Sequence, residues 1–426
     1  MTEQSEMSSS LEEAVAGGGL LDRRVFLQNS LGIAAGGGLL LGSLPTMAGE
    51  VPAGMKVPGR PFSNYGEPSP HEKEAVRWIS ANSMAPGNGI SWTPLHRLEG
   101  TITPSGLHFE RHHNGVPAID PDKHQLLIHG LCRNPLRFSL NDLLRYPMVS
   151  RTLFVECGGN SNAGWHDEPI QTPVGYFHGL ASCSEWTGVP LSTLLDEAGL
   201  LPEARWLIAE GADAAAMNTS IPSEKALDDT LVALYQNGER IRPENGYPMR
   251  LILPGWEAVL NVKWLHRLQA AREPVMARNE TAKYTELLPS GKAHQFSFIM
   301  EAKSVITSPS GGMKIQPGVI EILGFAWSGK GKIRTVDITL DGGRTWRNAR
   351  LEEPVLDKAL TRFRYTFKWD GAPITIASRT VDSTGYVQPT VEDIKKVRAI
   401  TGFVQHHNGV FPWAINASGE VTNAIG

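Results

Sequence analysis

The sequence predicts two folded parts, an α+β domain followed by an all-β sandwich of immunoglobulin-like type. Three observations carry this expectation. From about Leu98 to Ala271, short apolar runs alternate with turns and a few helical stretches. From about Ser304 onward, several short strands with period-2 alternation recur, separated by Asp-Gly turns. The 44 glycines and 29 prolines are spread through 426 residues without a collagen-like period, which suits a turn-rich and sheet-rich chain.

The elements follow in order. Residues 1–48 read as a targeting segment to be left out of fold reasoning. Arg23-Arg24-Val25-Phe26-Leu27 precedes a weakly apolar stretch from Leu31 to Leu44, and Thr46-Met47-Ala48 offers small residues for a peptidase cut. The paired arginines resemble a twin-arginine export signal, whose destination is the bacterial periplasm. The apolar run is too short and glycine-rich for a comfortable membrane span. Residues 49–97 are Pro/Gly-rich and read as an extended arm. In the α+β domain, taken as 98–272, Gln125–Gly130 reads as a strand and Ser139 as the N-cap of a short helix. Leu191 to Leu200 reads as an amphipathic helix ending at Gly199, and Arg250 to Leu253 as a strand closed by Pro254-Gly255. Residues 273–303 form a linker. In the sandwich, 304–426, Val336, Ile338 and Leu340 alternate with polar residues before Asp341-Gly342. Phe363, Tyr365, Phe367 and Trp369 do the same before Asp370-Gly371.

Composition excludes some functions. A net charge of −4 with no long basic run argues against nucleic acid as the main partner. Hydrophobic content of 41% and charged content of 20% are those of a folded soluble chain. Three cysteines, Cys132, Cys157 and Cys183, leave at least one thiol free. None forms a CxxC pair or a CxxCH haem site. Free thiols in an oxidising compartment are a liability unless one has a task.

Cys157 is the candidate. Phe154-Val155-Glu156-Cys157-Gly158-Gly159-Asn160 sets it at the end of an apolar strand, before two glycines that allow a bulky group close to the backbone. A thiolate is a soft metal ligand. The same setting is open to a buried inert thiol or to a hydrolase nucleophile paired with a histidine. A cofactor-free exported binding module is a third reading.

The segments then converge on a family. Phe154 to Asn160 is similar to the metal-ligand cysteine motif of the sulfite oxidase family. Phe109-Glu110-Arg111-His112-His113-Asn114-Gly115-Val116-Pro117 resembles that family's Arg-x-His segment. Glu185 to Leu191, Asn245-Gly246-Tyr247-Pro248-Met249-Arg250 and Asn261-Val262-Lys263-Trp264-Leu265 also match, in order. Gly324 to Gly329 and Asp341 to Trp346 resemble the family's immunoglobulin-like dimerisation domain. Within the family, the resemblance leans to the molybdenum subunits of sulfane dehydrogenases.

The resemblance implies a molybdenum-molybdopterin cofactor with Cys157 as the protein ligand to the metal. It implies that Arg111 stabilises anionic sulfur and oxygen groups beside the metal, and that Tyr284 is the active-site tyrosine. Arg250 and Lys263 would bind the pterin phosphate, with backbone donors at Asn261, Val262 and Lys263. His113, Asp213 and Asn245 would bond the ring system, and Phe109, Glu110 and His112 lie in the same cofactor loop. The activity implied is oxidation of a sulfur substrate. With no haem or iron–sulfur motif in the chain, electrons would leave to a c-type cytochrome subunit. The implied assembly is a homodimer through the C-terminal domain, possibly inside a heterotetramer.

One departure bears on substrate. Sulfite-oxidising relatives commonly carry two arginines after the Gly-Asn pair, whereas here Asn160 is followed by Ser161 and Asn162. A small free dianion depends on such charge. Sulfane sulfur presented on a sulfur-carrier protein depends on it less, because contacts elsewhere hold it. The alternative is free sulfite, with Arg151 or Arg250 replacing the missing charge.

Overall fold

A computed structural model describes residues 55–56, 63–166, 168–277, 280, 284–398 and 406–424. The twin-arginine segment, residues 1–48, lies outside them, as does Lys283 beside Tyr284. The chain divides after Pro68 into two units, and the described residues of the first carry no strand. Everything below belongs to the second unit, Ser69–Gly426. Among the described residues no helix is long and apolar enough to cross a membrane.

The first domain is built on strands β1 (Trp78–Ala81), β2 (Gly89–Trp92), β3 (Glu110–His112), β4 (Gln125–Gly130), β5 (Leu136–Ser139), β6 (Val149–Glu156) and β7 (Ala181–Pro190). It continues with β8 (Trp206–Gly211), β9 (Asn218–Pro222), β10 (Leu231–Gln236), β11 (Glu239–Arg240), β12 (Arg250–Ile252) and β13 (Leu265–Ala271). Helices α1 (Leu140–Leu143), α2 (Val174–His178), α3 (Leu191–Ala198) and α4 (Ser223–Asp228) lie between them. One sheet runs β11-β10-β7-β6, with β12 on β10; another runs β5-β4-β13-β8-β9, and β1-β2-β3 form a third. The two larger sheets enclose one apolar core, with Leu126, Leu207, Val232, Leu251 and Leu268 fully buried. Each such side chain contributes about 1.5–3 kcal/mol.

Several expected elements are present with their punctuation. Ser139 Oγ accepts the Asp142 N–H at 3.1 Å, and the Asp142 carboxylate accepts the Ser139 N–H at 2.9 Å, a reciprocal cap on α1. Helix α3 buries Leu191, Leu194, Leu195 and Ala198 on one face and stops at Gly199, whose φ of 67° suits glycine.

The stretch read as an extended arm is partly folded. Strands β1 and β2 form a hairpin in which Trp78 opposes Trp92, their rings 4.5 Å apart. Strand β2 then pairs with β3, placing Ile90 opposite Arg111. Four-residue strands amid prolines and glycines give too little alternation to register as strands in sequence.

The second domain contains β14 (Glu286–Leu287) and β15 (Ala293–His294), a small hairpin in the segment read as linker, and then β16 (Lys303–Ser308), β17 (Gly318–Trp327) and β18 (Ile333–Thr339). It ends with β19 (Arg347–Asn348), β20 (Arg350–Leu351), β21 (Thr361–Trp369), β22 (Ile374–Asp382), helix α5 (Val391–Val397), β23 (Trp413–Ile415) and β24 (Val421–Asn423). Sheets β16-β17-β21-β20 and β19-β18-β22-β23-β24 pack Ile322, Phe363 and Trp369 against Val336, Ile376 and Trp413. This is the predicted sandwich, and the alternating residues Val336, Ile338 and Phe363 point into it. All three cysteines are free; burial pushes the Cys183 thiol up to about 12, so it packs as an apolar group.

Candidate active site

Strand β6 carries the chain to Cys157. The strand is buried over its last four residues, and the Cys157 N–H continues the ladder to the Leu180 carbonyl at 2.9 Å. The Asn160 N–H then turns back to the Cys157 carbonyl at 2.9 Å, so the chain folds sharply past the thiol. The glycine at 158 also makes room for a side chain of the protein itself. A Cβ there would stand 1.5 Å from Glu257 Oε1. The group that approaches the backbone at Gly158 is the protein's own carboxyl.

Cys157 lines a cavity with about 840 Å³ of space free of protein atoms, open to solvent on one side. The structure brings together around it Phe109, Arg111, His112, His113, Asp213, Asn245, Arg250, Asn261, Val262, Lys263 and Tyr284. These come from β3 and its flanks, from the turn after β8, from β12 and the two chain segments on either side of it, and, for Tyr284, from the stretch before β14. Glu110 does not line the cavity. Its carboxylate accepts from His112 Nε2 at 2.7 Å and pairs with Arg77, so it orients the histidine instead. Arg151, a suggested substitute for missing charge, is also absent from the cavity. Its guanidinium donates to the Asp229 carbonyl at 3.2 Å.

The sequence reading missed His108, Glu244 and Trp264 as lining residues. Trp264 and Glu244 adjoin Lys263 and Asn245, so proximity to assigned residues was the available signal. Trp264 holds φ 53°, uncommon for a bulky residue, and its indole N–H donates to the Pro243 carbonyl at 2.8 Å. His108 carries no motif, and its ring enters through the fold.

The electrostatics are those of a site shaped for an anion. Arg250 is buried, and its Nη1 and Nη2 donate to the carbonyls of Asn245 at 2.7 Å and Asn261 at 3.0 Å. Lys263 Nζ donates to the carbonyls of Arg111 at 3.3 Å and Glu244 at 3.0 Å, and to His112 Nδ1 at 2.9 Å. Among the described residues neither cation has a carboxylate within ion-pair distance. Burial pushes the Arg250 guanidinium down to about 9; burial, then the Arg250 charge, holds the Lys263 ammonium well below its ordinary range. Burial pushes His108 and His112 down to about 3, so both rings are neutral at pH 7. Two buried polar atoms on lining residues, His108 Nε2 and Asn245 Oδ1, have no partner among the described residues. Buried cations and polar atoms without partners are costly unless a ligand answers them.

These features fit a large polar anion with several ring donors and acceptors, seated against a thiol. They do not fit a hydrolase. Burial pushes the Cys157 thiol up to about 11, against a hydrogen bond from the Gly159 amide, whereas a hydrolytic cysteine needs a lowered pKa and an adjacent base. Tyr284 is held well above its ordinary range by burial and by the neighbouring Cys157, so its hydroxyl keeps its proton.

Comparison with known proteins defines the class first. Residues 113–278 match the family described as "Oxidoreductase molybdopterin binding domain", and residues 295–412 match "Mo-co oxidoreductase dimerisation domain". The chain is similar to mitochondrial sulfite oxidase of Homo sapiens, 30% identical over 369 residues, covering 80% of this chain and 68% of that protein. Sulfite oxidase of Gallus gallus is 30% identical over 356 residues, 77% of each chain. The chain belongs to the sulfite oxidase family of molybdopterin enzymes, and it is an oxidoreductase that acts on sulfur. The sulfane dehydrogenase SoxCD from Paracoccus pantotrophus has a similar solved structure, with a TM-score of 0.85 and 43% identity over 90% of this chain and 99% of that one. The cofactor of the chain is therefore molybdenum-molybdopterin, and the donor set of the cavity suits it.

Proposed function

We propose that this protein oxidises sulfane sulfur carried on the cysteine of a sulfur-carrier protein, as a SoxC-like subunit, and passes the electrons to a c-type cytochrome subunit. It acts in the periplasm after twin-arginine export, on the reading of Arg23-Arg24. Self-association through the domain from about residue 304 onward gives a homodimer, within a heterotetramer when the cytochrome is bound. The dimerisation-family match over residues 295–412 supports this reading.

The bound cofactor supplies a two-electron acceptor and transfer of an oxygen from water to sulfur. The protein does the rest. Cys157 provides the thiolate ligand at the end of β6. Arg250 and Lys263 would hold the phosphate, and the open valences of His108 Nε2 and Asn245 Oδ1 would be available to the pterin ring. Phe109, His113, Asp213 and the Asn261–Lys263 backbone complete that wall. Arg111 Nη1 is steadied by Asn88 Oδ1 at 3.3 Å and Gly89 O at 3.4 Å, fixing a guanidinium beside the reacting sulfur. Tyr284 Oη holds a proton and donates to oxygen on the product.

The observation that carries the substrate assignment is the neutral run after Cys157. Asn160 is turned away to Glu156 Oε1 at 2.8 Å, and Ser161 to His178 and Lys303. Neither adds charge to the cavity, and on this reading Arg250 is taken up by the cofactor phosphate. A free dianion would meet Arg111 with little help. The sulfane dehydrogenase description of the 43% identical neighbour supports the same choice. The test is a steady-state assay with the cytochrome subunit, comparing free sulfite with a persulfide-loaded carrier. We expect kcat/KM at least about tenfold higher for the carrier, the worth of one charge-assisted contact. A higher value for free sulfite overturns the carrier assignment and leaves the molybdenum chemistry standing.

A further inference from the structure

Both chain neighbours of Cys157 are held by the second domain. Glu156, fully buried, accepts from Lys303 Nζ at 2.9 Å on Oε1 and from Trp327 Nε1 at 2.6 Å on Oε2. On the other side, the Gly158 carbonyl accepts the His406 N–H at 2.6 Å. Lys303 also donates to Ser161 Oγ at 2.6 Å, whose hydroxyl meets His178 Nδ1 at 2.7 Å. Asn160 joins the same carboxylate at 2.8 Å. Lys303 and Trp327 are buried to 2% and 0% exposure, so this is a dry ion pair between strands β16 and β6, not a surface contact.

We infer that the second domain is a positioning element for Cys157, with Lys303 and Trp327 fixing the thiol through Glu156. The inference rests on the reading of Cys157 as the molybdenum ligand. Its logic is geometric. Peptide planarity leaves two soft backbone dihedrals per residue. With the side chain of residue 156 and the carbonyl of residue 158 both anchored, the Cys157 Cα is set and little beyond its χ1 remains. A buried ion pair is weak evidence for stability, since well-packed apolar residues of the same volume often do as well. Its retention one residue from the ligand points to placement of the sulfur. Groups that orient a ligand from behind commonly change metal affinity or activity 10–100-fold when removed.

The test uses holoenzyme made with an intact cofactor pathway. The paired variant Glu156→Gln/Lys303→Met removes both charges together, and Trp327→Phe removes one donor while leaving the ion pair. Molybdenum content, the thiolate-to-molybdenum absorption band, kcat and KM are read on each. In the paired variant we expect kcat to fall about 10–100-fold, with KM nearly unchanged and the band shifted. Trp327→Phe should move the band in the same direction with a smaller loss of kcat. Loaded variants that keep the wild-type band and kcat overturn the inference. If the paired variant does not fold, Trp327→Phe decides alone by the same two readouts. Wild-type protein that binds no molybdenum sinks this inference and the cofactor reading together; loaded wild type with indifferent variants sinks the inference only.

Discussion

The two sides of Cys157 are built on opposite terms. Toward the cavity, among the described residues, Arg250 and Lys263 lack carboxylate partners and His108 Nε2 and Asn245 Oδ1 lack any partner. Toward the second domain, both oxygens of Glu156 are answered by Lys303, Asn160 and Trp327. The contrast separates groups kept for a ligand from groups used up by the fold. Unpartnered buried atoms also occur among the described residues on the second-domain side, at His178 Nε2 and His406 Nδ1, so the contrast between the open, cavity side and the closed side rests on the cavity's cations without carboxylates and on the fully answered Glu156 carboxylate.

That contrast can be broken by substitution, and stability of the cofactor-free protein is the measure. Lys303→Met should have the largest effect, on the order of 3–5 kcal/mol, because it strands a buried carboxylate. Denaturant melts showing a loss under about 1 kcal/mol would mean that Glu156 is answered some other way. Gly158→Ala comes next. Its Cβ would meet Glu257 Oε1 at 1.5 Å, and overpacking of this kind costs about 1–3 kcal/mol. Adding Glu257→Ala should restore part of that loss, and a double variant no better than the single one would show that the clash lies elsewhere. Arg250→Met should have the smallest effect on the apo fold, about 1 kcal/mol in either direction. Two carbonyls lose a donor while an unpaired buried cation is relieved. Its consequence should appear in molybdenum content, expected to fall tenfold or more on the roughly 1.5–3 kcal/mol of a charge-assisted bond. Full molybdenum occupancy in that variant would remove Arg250 from the phosphate site.

The same contrast explains what the sequence disclosed. The open side was largely legible. Cys157 stands at a strand end before two glycines, whereas Arg250, Asn261 and Lys263 were singled out through the family resemblance and not by local pattern. The alternation at Val336–Ile338 and Phe363–Trp369 disclosed the sandwich. The closed side was not legible. Glu156 meets Lys303 across 147 residues of chain and Trp327 across 171, and no local period records such pairings. Glu110 was placed in the cofactor loop for a contact through backbone atoms, and its side chain is spent on Arg77 and His112, a pairing that sequence position alone does not record. The hairpin of β1 and β2 escaped notice because its specificity resides in one tryptophan pair.

The Gly158–His406 hydrogen bond also sets a schedule. Strand β3 meets its partner β2 within about two dozen residues, so that wall of the cavity can form early in synthesis. The seat of Cys157 waits for Lys303, Trp327 and finally His406, near the end of the chain. Until those residues have left the ribosome, the cysteine has no fixed address. A chain truncated before His406 would lose the hydrogen bond to the Gly158 carbonyl and present its thiol with one support fewer.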